Sequence, residues 1–323
     1  MRPNRAHAAL AWVVAAWLAI ASCAGAQQVA DSTFDARVAK PAYPASHPRV
    51  LFDEAHRNFH TTTGRYKPFA TLIANDGYRV TGNPKPFTRS LLEGCDVLVI
   101  ANAAGAGWDS DSGTVQPAFM SDECDAVRDW VRAGGALLLI ADHAPYGTSA
   151  ESLAQRFGVS MNKGYTIDST HADPESGNPS CLVYSRANGL LADHAITCGR
   201  DSTEQVSRVI AFTGQSLLGP EGSIAFLKLG DQARDLPLRT FASARSWSMA
   251  LSATSPAAGR AQGVAFSFGK GRVVVLGEAA MHSAQLILRP GGGVAFRMGM
   301  NRAGIDNRQL ALNIMHWLSG ALN

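Results

Sequence analysis

Apolar runs alternate with amphipathic segments along the chain, and this pattern predicts an α/β fold. The runs "RVLFD" (49–53), "DVLVI" (96–100) and "ALLLI" (136–140) are typical of strands that are buried on both faces of a parallel sheet. The segment before the last run has helical spacing, begins at Ser121 and ends at a Gly-Gly pair. Because capped helices alternate with buried strands, we expect a doubly wound, mostly parallel, flavodoxin-like sheet.

The second half of the chain is less regular. Turn-rich stretches and short apolar runs over about 158–254 predict an irregular, β-containing insertion. Two β-rich runs around Gly269–Gly271 predict a C-terminal β-hairpin, and 307–320 reads as an amphipathic helix. These elements are assigned to one domain over 48–323. The preceding stretch, 27–47, lacks periodicity and is expected to be a linker or an N-terminal arm.

Residues 1–26 have the layout of a secretory signal. Two arginines precede an apolar run over 8–21, which is too short to cross a membrane, and small residues follow it. Ala24–Ala26 suits ordinary signal peptidase, whereas the residues before Cys23 resemble a lipobox whose cysteine would carry a lipid. Both alternatives predict an exported protein, periplasmic or secreted, that contacts the membrane only through a lipid anchor at Cys23.

Charge and motif content exclude nucleic-acid binding and nucleotide-driven functions. The formal net charge is +3, and removal of the two signal arginines leaves +1, with no basic cluster to attract a nucleic acid. Asp53–His56 spells "DEAH", a helicase motif, but the chain has no G-x-x-x-x-G-K-[ST] segment to bind the phosphates of a nucleotide. We therefore expect "DEAH" to be the loop after a strand.

Four cysteines follow Cys23, and export would allow them to pair. Cys95 begins a predicted strand and Cys124 lies in the helix after it, so the length of a strand, roughly 25 Å, would separate them. Cys181 and Cys198 flank an irregular stretch whose ends can meet. The sequence therefore predicts a disulfide between Cys181 and Cys198, with the other two cysteines unpaired.

Carboxylates and imidazoles follow four of the predicted strands. Ligands bind beyond the carboxyl ends of parallel strands, so these side chains are expected to meet in one cleft. Any one of the acids can instead cap its own loop by Asx-type hydrogen bonds. The ligand-binding candidates are Asp53, Glu54, His56, His60 and Asn102. The catalytic candidates are Asp142, His143, Glu278 and His282.

Five segments of the chain also carry a family resemblance. They are "VLFDEAH", "GRYKPFATLIANDGYRV", "LLEGCDVLVIANA", "FMSDECDAVRDWVRAGGALLLIADHAP" and, more loosely, "GKGRVVVLGEAAMH". In these segments the chain resembles the class I glutamine-amidotransferase-like superfamily, particularly its non-catalytic branches in ABC-transporter-associated proteins and in the intraflagellar-transport GIFT domain. In catalytic members a cysteine nucleophile follows the strand that corresponds to 136–140. Here that turn reads Asp142–Pro145, so the resemblance implies that thiolate-dependent glutamine hydrolysis is absent.

Two functions from different classes remain open on the sequence. One is a binding module that holds a small polar ligand or a cell-envelope protein in the cleft. The alternative is a hydrolase in which the catalytic candidates, with Asp53 or His56, act as a general acid and base or bind a divalent metal that activates water. The spacing of these residues is not that of a known metal motif, so the cofactor and the substrate stay open.

Overall fold

The computed structural model describes residues 27–106, 115–237 and 254–323. The predicted signal over 1–26, with its lipid-anchor alternative at Cys23, lies outside the described residues. The strands are β1 (Gln27–Ala30), β2 (Arg49–Asp53), β3 (Arg79–Asn83), β4 (Val97–Ala101), β5 (Ala136–Ile140), β6 (Ser160–Met161), β7 (Tyr165–Ile167), β8 (Leu182–Ser185), β9 (Arg208–Ala211), β10 (Leu217–Leu218), β11 (Ile224–Lys228), β12 (Arg234–Leu236), β13 (Ser255–Pro256), β14 (Ala261–Phe268), β15 (Gly271–Leu276), β16 (Ala284–Leu288) and β17 (Val294–Gly299). The helices are α1 (Lys67–Asn75), α2 (Arg89–Leu92), α3 (Ser121–Ala133), α4 (Tyr146–Arg156), α5 (Ala195–Cys198) and α6 (Asn307–Ser319), with 3-10 turns at Ser202–Glu204 and Ala280–His282.

A nine-stranded mixed sheet forms the centre of the fold, in the order β3-β2-β4-β5-β15-β14-β10-β6, with β11 also paired to β14. The first five strands in this order are parallel to one another, and the remaining pairings are antiparallel. Numbered along the chain, the parallel strands lie in the order 2-1-3-4-5, which is the flavodoxin-like arrangement. The direction of winding reverses between β2 and β4, and this point is where such folds bind ligands.

The α/β class is confirmed, but the sheet is mixed rather than mostly parallel. The reason is the predicted hairpin, in which β14 and β15 are joined by Gly269 and Lys270. Because β15 joins the parallel strands beside β5, a two-residue turn forces β14 to run in the opposite direction. The antiparallel half of the sheet then grows outward from β14 through elements of the predicted insertion.

Helices cover both faces of the sheet, and the buried strands explain why. Every residue of β4 and β5 is buried, and alternate side chains point to opposite faces. On one face Val99 and Leu138 pack in a core that includes residues of α1 and α6. On the other face Leu98 and Leu139 pack with residues of α3 and α4. The continuous apolar runs in the sequence therefore correspond to strands that are covered on both sides.

Several elements around the sheet could not be read from the sequence. The pattern gave no signal for α4, whose sequence "YGTSAESLAQR" is rich in small and polar residues, or for the hairpin β16–β17. Residues 27–30 of the N-terminal segment form β1, which pairs with β16. Within the described part of the insertion, the strands are short and form two further small sheets, β13-β12-β7 and β8-β9. None of the described helices is long and apolar enough to cross a membrane.

The predicted disulfide between Cys181 and Cys198 is wrong, since both cysteines are free. Cys181 directly precedes β8 and packs with Ile210. Cys198 is exposed at the end of α5, with its Sγ 3.8 Å from Nη2 of Arg186, the residue that follows β8. The two cysteines thus lie at opposite ends of β8, roughly 15 Å apart along the strand, whereas a disulfide requires Cα atoms within about 7 Å.

Candidate functional site

The sequence-predicted residues gather at the carboxyl edge of the parallel strands. Asn102 follows β4 and holds three strand-end loops together: its Oδ1 accepts the backbone N–H of Asp142 at 3.0 Å, and its carbonyl accepts the N–H of Phe59. Its φ of +50° is in the left-handed region, which asparagine tolerates better than most residues. Asn102 therefore has a positioning role beneath the loops rather than a place at the surface of the cleft.

His56 of the "DEAH" loop is enclosed in a buried cluster with two carboxylates. Its Nδ1 lies 2.8 Å from Oδ1 of Asp53, and its Nε2 lies 2.9 Å from Oε1 of Glu123 at the start of α3. The ring packs between Phe87 and Phe119, with centroid distances of 4.8 and 4.7 Å. We call Asp53, His56 and Glu123 the His56 cluster. Because both ring nitrogens are engaged, this imidazole has no free atom to offer a ligand.

The His56 cluster is satisfied by hydrogen bonds on every side. Asn58 donates to Asp53, and the backbone N–H groups of Phe87 and Met120 donate to Glu123 at 2.9 Å each. Burial opposes charge on His56, but its hydrogen bonds to Asp53 and Glu123 outweigh burial and raise its pKa. Burial likewise works against the charge of Glu123, yet the two backbone donors and His56 lower its pKa. The cluster is therefore an internal ion pair that joins β2 to α3.

The other two residues predicted in the first strand-end loop also face inward. Glu54 accepts hydrogen bonds from the backbone N–H and the hydroxyl of Thr62 at 2.7 Å each, which closes the loop. His60 is 3% exposed and lies against Tyr66, with ring centroids 4.4 Å apart. Burial, and then the positive charge of Arg65, lower the pKa of His60 to about 3, so this imidazole is neutral. Its Nδ1 has no hydrogen-bond partner among the described residues.

Asp142 and Glu278 form a second group, the carboxyl pair, at the ends of β5 and β15. Glu278 is fully buried and accepts the N–H groups of Ala280 and Met281 at 2.7 and 2.8 Å, which begins a 3-10 turn. Asp142 accepts the N–H of His143 at 2.7 Å. Burial raises the pKa of both acids, and the charge of Asp142 raises that of Glu278 further. Two acids in one buried space hold a proton at a pH where isolated acids are ionised.

Two residues that the sequence did not single out hold this pair in place. Tyr66 is fully buried and donates its hydroxyl to the carbonyl of Ala279 at 2.5 Å. Ala279 follows Glu278 directly, and burial raises the pKa of Tyr66, with the charges of Glu278 and Asp142 adding to the effect. Gln215 donates to the carbonyl of Asp142 at 2.9 Å and fixes the turn after β5. Neither residue follows a predicted strand, so the strand-end pattern could not reveal them.

A chain of aromatic rings begins at His143, the residue after Asp142. His143 is half-buried, stacks on Tyr165 with centroids 4.4 Å apart, and lies 6.4 Å from the ring of Tyr146. Tyr146 in turn lies 6.0 Å from Phe59, which is 42% exposed. We call Phe59, His143, Tyr146 and Tyr165 the aromatic rim. The Nδ1 of His143 is 2.7 Å from the carbonyl of Ala144, and this contact fixes the orientation of the ring.

His282 does not join the carboxyl pair as the sequence predicted. It is fully buried, and neither ring nitrogen has a hydrogen-bond partner among the described residues. Its neighbour is the ring of Phe69 in α1, 6.1 Å away, and burial lowers its pKa to about 3. His282 is therefore a neutral packing residue. Asp142, His143 and Glu278 come together, whereas Asp53 and His56 belong to the separate His56 cluster.

A divalent metal finds no ready set of ligands in this arrangement. Within 27–106, 115–237 and 254–323 no group of three or more His, Cys, Asp or Glu side chains is placed to hold an ion.

No protein-family model matches the sequence, and no curated protein matches it. Among solved structures, the chain is similar to the N-terminal domain of mmIFT52, with 14% identity and a TM-score of 0.57 over 84% of this chain and 97% of that chain. A putative ThuA-like protein from Parabacteroides merdae has 12% identity and a TM-score of 0.42, over 85% and 91% of the two chains. A putative GMP synthase component from Thermoplasma acidophilum has 12% identity and a TM-score of 0.42, over 85% and 96%.

These similarities concern the fold. At 14% identity, the likeness to the mmIFT52 domain shows a shared architecture alone. The ThuA-like and GMP synthase-like neighbours have glutamine amidotransferase-like folds, but TM-scores of 0.42 carry no further conclusion about this chain.

Proposed function

We propose that the protein is an exported amidotransferase-like domain of the non-catalytic branch, which binds a small polar ligand at the carboxyl ends of its parallel strands. The observation that carries this proposal is the carboxyl pair beneath the aromatic rim. Asp142 stands in the turn after β5, where the resemblance places a cysteine nucleophile in catalytic relatives. A carboxyl group there can form hydrogen bonds with a ligand but cannot form a thioester with it.

The chemistry of the cleft suits a neutral polar group lying against an aromatic surface. Asp142 is 8% exposed and Glu278 is not exposed, so a ligand would meet Asp142 first. A carboxyl group that keeps its proton is both a donor and an acceptor, which matches a hydroxyl or an amide. The rings of Tyr146 and Tyr165 give the ligand an apolar surface, as in most small-molecule sites, where a few polar groups fix the orientation.

The alternative is a hydrolase, and one specific observation favours it. Burial raises the pKa of Asp142 and Glu278, and a raised carboxyl pKa is the property that a general acid requires. His143, oriented by the carbonyl of Ala144, would be the base. Glu278→Gln would then abolish turnover of ester, amide or glycoside substrates in a hydrolase screen. Persistence of full activity in Glu278→Gln would remove this alternative.

Ligand binding can be tested with a thermal-shift screen of sugars and amino acids at pH 7. The mature protein is compared with His143→Ala and with a matched control, His47→Ala, which removes an exposed imidazole beside Gly77, before β2. We expect a ligand that raises the melting temperature of the wild type and of His47→Ala but has no effect on His143→Ala. An equal shift in all three proteins would place the ligand outside this cleft.

A further inference from the structure

Arg65 is a half-buried cation with no anionic partner among the described residues. It lies just before α1, with its Cζ 4.1 Å from the centroid of the Phe59 ring. Its Nη1 is buried and has no hydrogen-bond acceptor in the described parts of the chain. Arg302, another buried arginine with an unpartnered Nη1, differs in that its Nη2 contacts Asp173 at 2.8 Å. Burying a guanidinium nitrogen without an acceptor is costly, so such a group is a candidate for recognising a ligand.

A second unpartnered polar group lies beside Arg65. His60 is 3% exposed, and its Nδ1 has no hydrogen-bond partner among the described residues. Both groups lie next to the Phe59 ring, whose centroid is 4.1 Å from Cζ of Arg65 and 5.2 Å from the centroid of the His60 ring. A neutral imidazole can carry its hydrogen on Nδ1 and donate it. Arg65 and His60 thus offer two neighbouring donors with no acceptor in the described structure.

These donors lie at the edge of the cleft that contains the carboxyl pair. Phe59, stacked on Arg65, is the first ring of the aromatic rim, and Tyr146 is the next. Burial raises the pKa of Tyr146, the negative charge of Asp142 raises it further, and the positive charge of Arg65 lowers it. The Tyr146 ring lies 6.0 Å from the Phe59 ring, next to Arg65, and 6.4 Å from the ring of His143, which follows Asp142 in the chain. A ligand along the rim would reach Arg65 at one end and Asp142 at the other.

Building on the proposed function, we propose that the ligand carries an anionic group, a carboxylate or a phosphate, and that Arg65 binds it with His60 as a second donor. The planar guanidinium, whose Cζ lies over the Phe59 ring, carries parallel N–H groups that match two oxygens of such an anion. The neutral part of the ligand would then extend along Tyr146 to Asp142.

The test titrates inorganic phosphate, and separately acetate, into the full mature protein at pH 7 and constant ionic strength, with calorimetry as the readout. We expect at least one anion to bind, with affinity reduced at least about tenfold in Arg65→Gln because charge-assisted hydrogen bonds are lost. Arg65→Lys keeps the charge without the planar donors, so its anion affinity should lie between those of the wild type and Arg65→Gln. The control Arg57→Gln removes an exposed charge from the same loop and should bind like the wild type.

Several outcomes would overturn the proposal. Equal anion binding by wild type and Arg65→Gln would assign the anion to another surface, and no binding of either anion would exclude the subsite. If Arg65→Gln fails to fold, phenylglyoxal modification of the wild type, mapped by peptide mass spectrometry, replaces the variant: phosphate or acetate should slow the reaction at Arg65, and unchanged modification contradicts the proposal. Anion binding that needs Arg65 while the screen finds no His143-dependent ligand would retain the subsite and reject the larger cleft ligand.

Discussion

The His56 cluster and the carboxyl pair lie at the same edge of one sheet, but they differ in whether their acids face a group of opposite charge. In the His56 cluster, the imidazole lies between Asp53 and Glu123. Backbone N–H groups and the amide of Asn58 donate hydrogen bonds to these two carboxylates. In the carboxyl pair, burial raises the pKa of both acids, and the charge of Asp142 raises that of Glu278 further. The His56 cluster stabilises the fold, whereas the carboxyl pair places two buried acids next to the aromatic rim, where ionising both is unfavourable.

The difference teaches that residue type and strand-end position do not separate structural from functional groups. His56 and His282 both follow strands of this sheet edge, yet burial with two carboxylates raises the pKa of one and burial among apolar groups lowers that of the other to about 3. What separates them is the number of hydrogen-bond partners. The partners of a group in the folded chain, rather than its position in the sequence, therefore set its charge state.

The largest effect is expected from breaking the His56 cluster. Glu123→Ala removes the acceptor of His56 Nε2 and of the N–H groups of Phe87 and Met120. Loss of one partner of a buried ion pair costs about 3–5 kcal/mol, so the free energy of unfolding should fall by this amount in urea denaturation. Glu93→Ala, at an exposed position paired with Arg89, is the control and should leave stability unchanged. If Glu123→Ala leaves the free energy of unfolding as unchanged as Glu93→Ala does, the cluster contributes nothing to the stability of the fold.

The two histidines should affect pH dependence with opposite signs. The pKa of His282 is lowered to about 3 from an unfolded value of 6.5, so wild-type stability is lost as pH falls below 6.5. At pH 5 this loss is about 2 kcal/mol, and His282→Leu, which cannot titrate, should avoid it. Urea denaturation at pH 7 and at pH 5 measures how much the free energy of unfolding of each protein changes between the two pH values. Parallel pH profiles for wild type and His282→Leu would contradict a neutral, buried His282.

For His56 the sign reverses, because its folded pKa is raised. Its protonation contributes stability that is fully present below pH 6.5 and is lost as pH rises through the raised value. His56→Leu should therefore lose the most stability, relative to wild type, below pH 6.5, and the deficit should shrink at higher pH. A deficit that grows with pH would mean that the imidazole is neutral in the cluster.

A smaller effect, of opposite direction to that of Glu123→Ala, is expected in the carboxyl pair. The folded pKa of both acids is raised, so they reduce stability as pH rises from about 4 through their folded values. Asp142→Asn removes one charge and should raise the free energy of unfolding at pH 8 by about 1 kcal/mol, because functional sites often retain strain that lowers stability. The exposed Asp231→Asn is the control and should show no gain. A loss of stability in Asp142→Asn would mean that the pair supports the fold, as the His56 cluster does.

The strands of the parallel half were predictable from the sequence because burial on both faces demands uninterrupted apolar runs. The predicted 49–53 and 136–140 coincide with β2 and β5. The mixed character of the sheet was not predictable, because a hairpin sequence does not say which of its strands joins the parallel set. The disulfide failed for a similar reason, since a loop length does not tell where Cys181 and Cys198 lie in space.

What the sequence determined by itself is local: which segments are strands and which polar residues follow them. The strands are recognisable from apolar runs of neighbouring residues, and the carboxyl ends of parallel strands share one edge of the sheet. Asp53, Asn102, Asp142 and Glu278 could therefore all be assigned to that edge. The tertiary structure decided which of these groups are satisfied. Glu123 reaches His56 across 67 positions of sequence, and Tyr66 reaches Ala279 across 213. A hydrogen bond depends on distance in space, so the division into a closed ion pair and a cleft with unmet donors exists only in the folded chain.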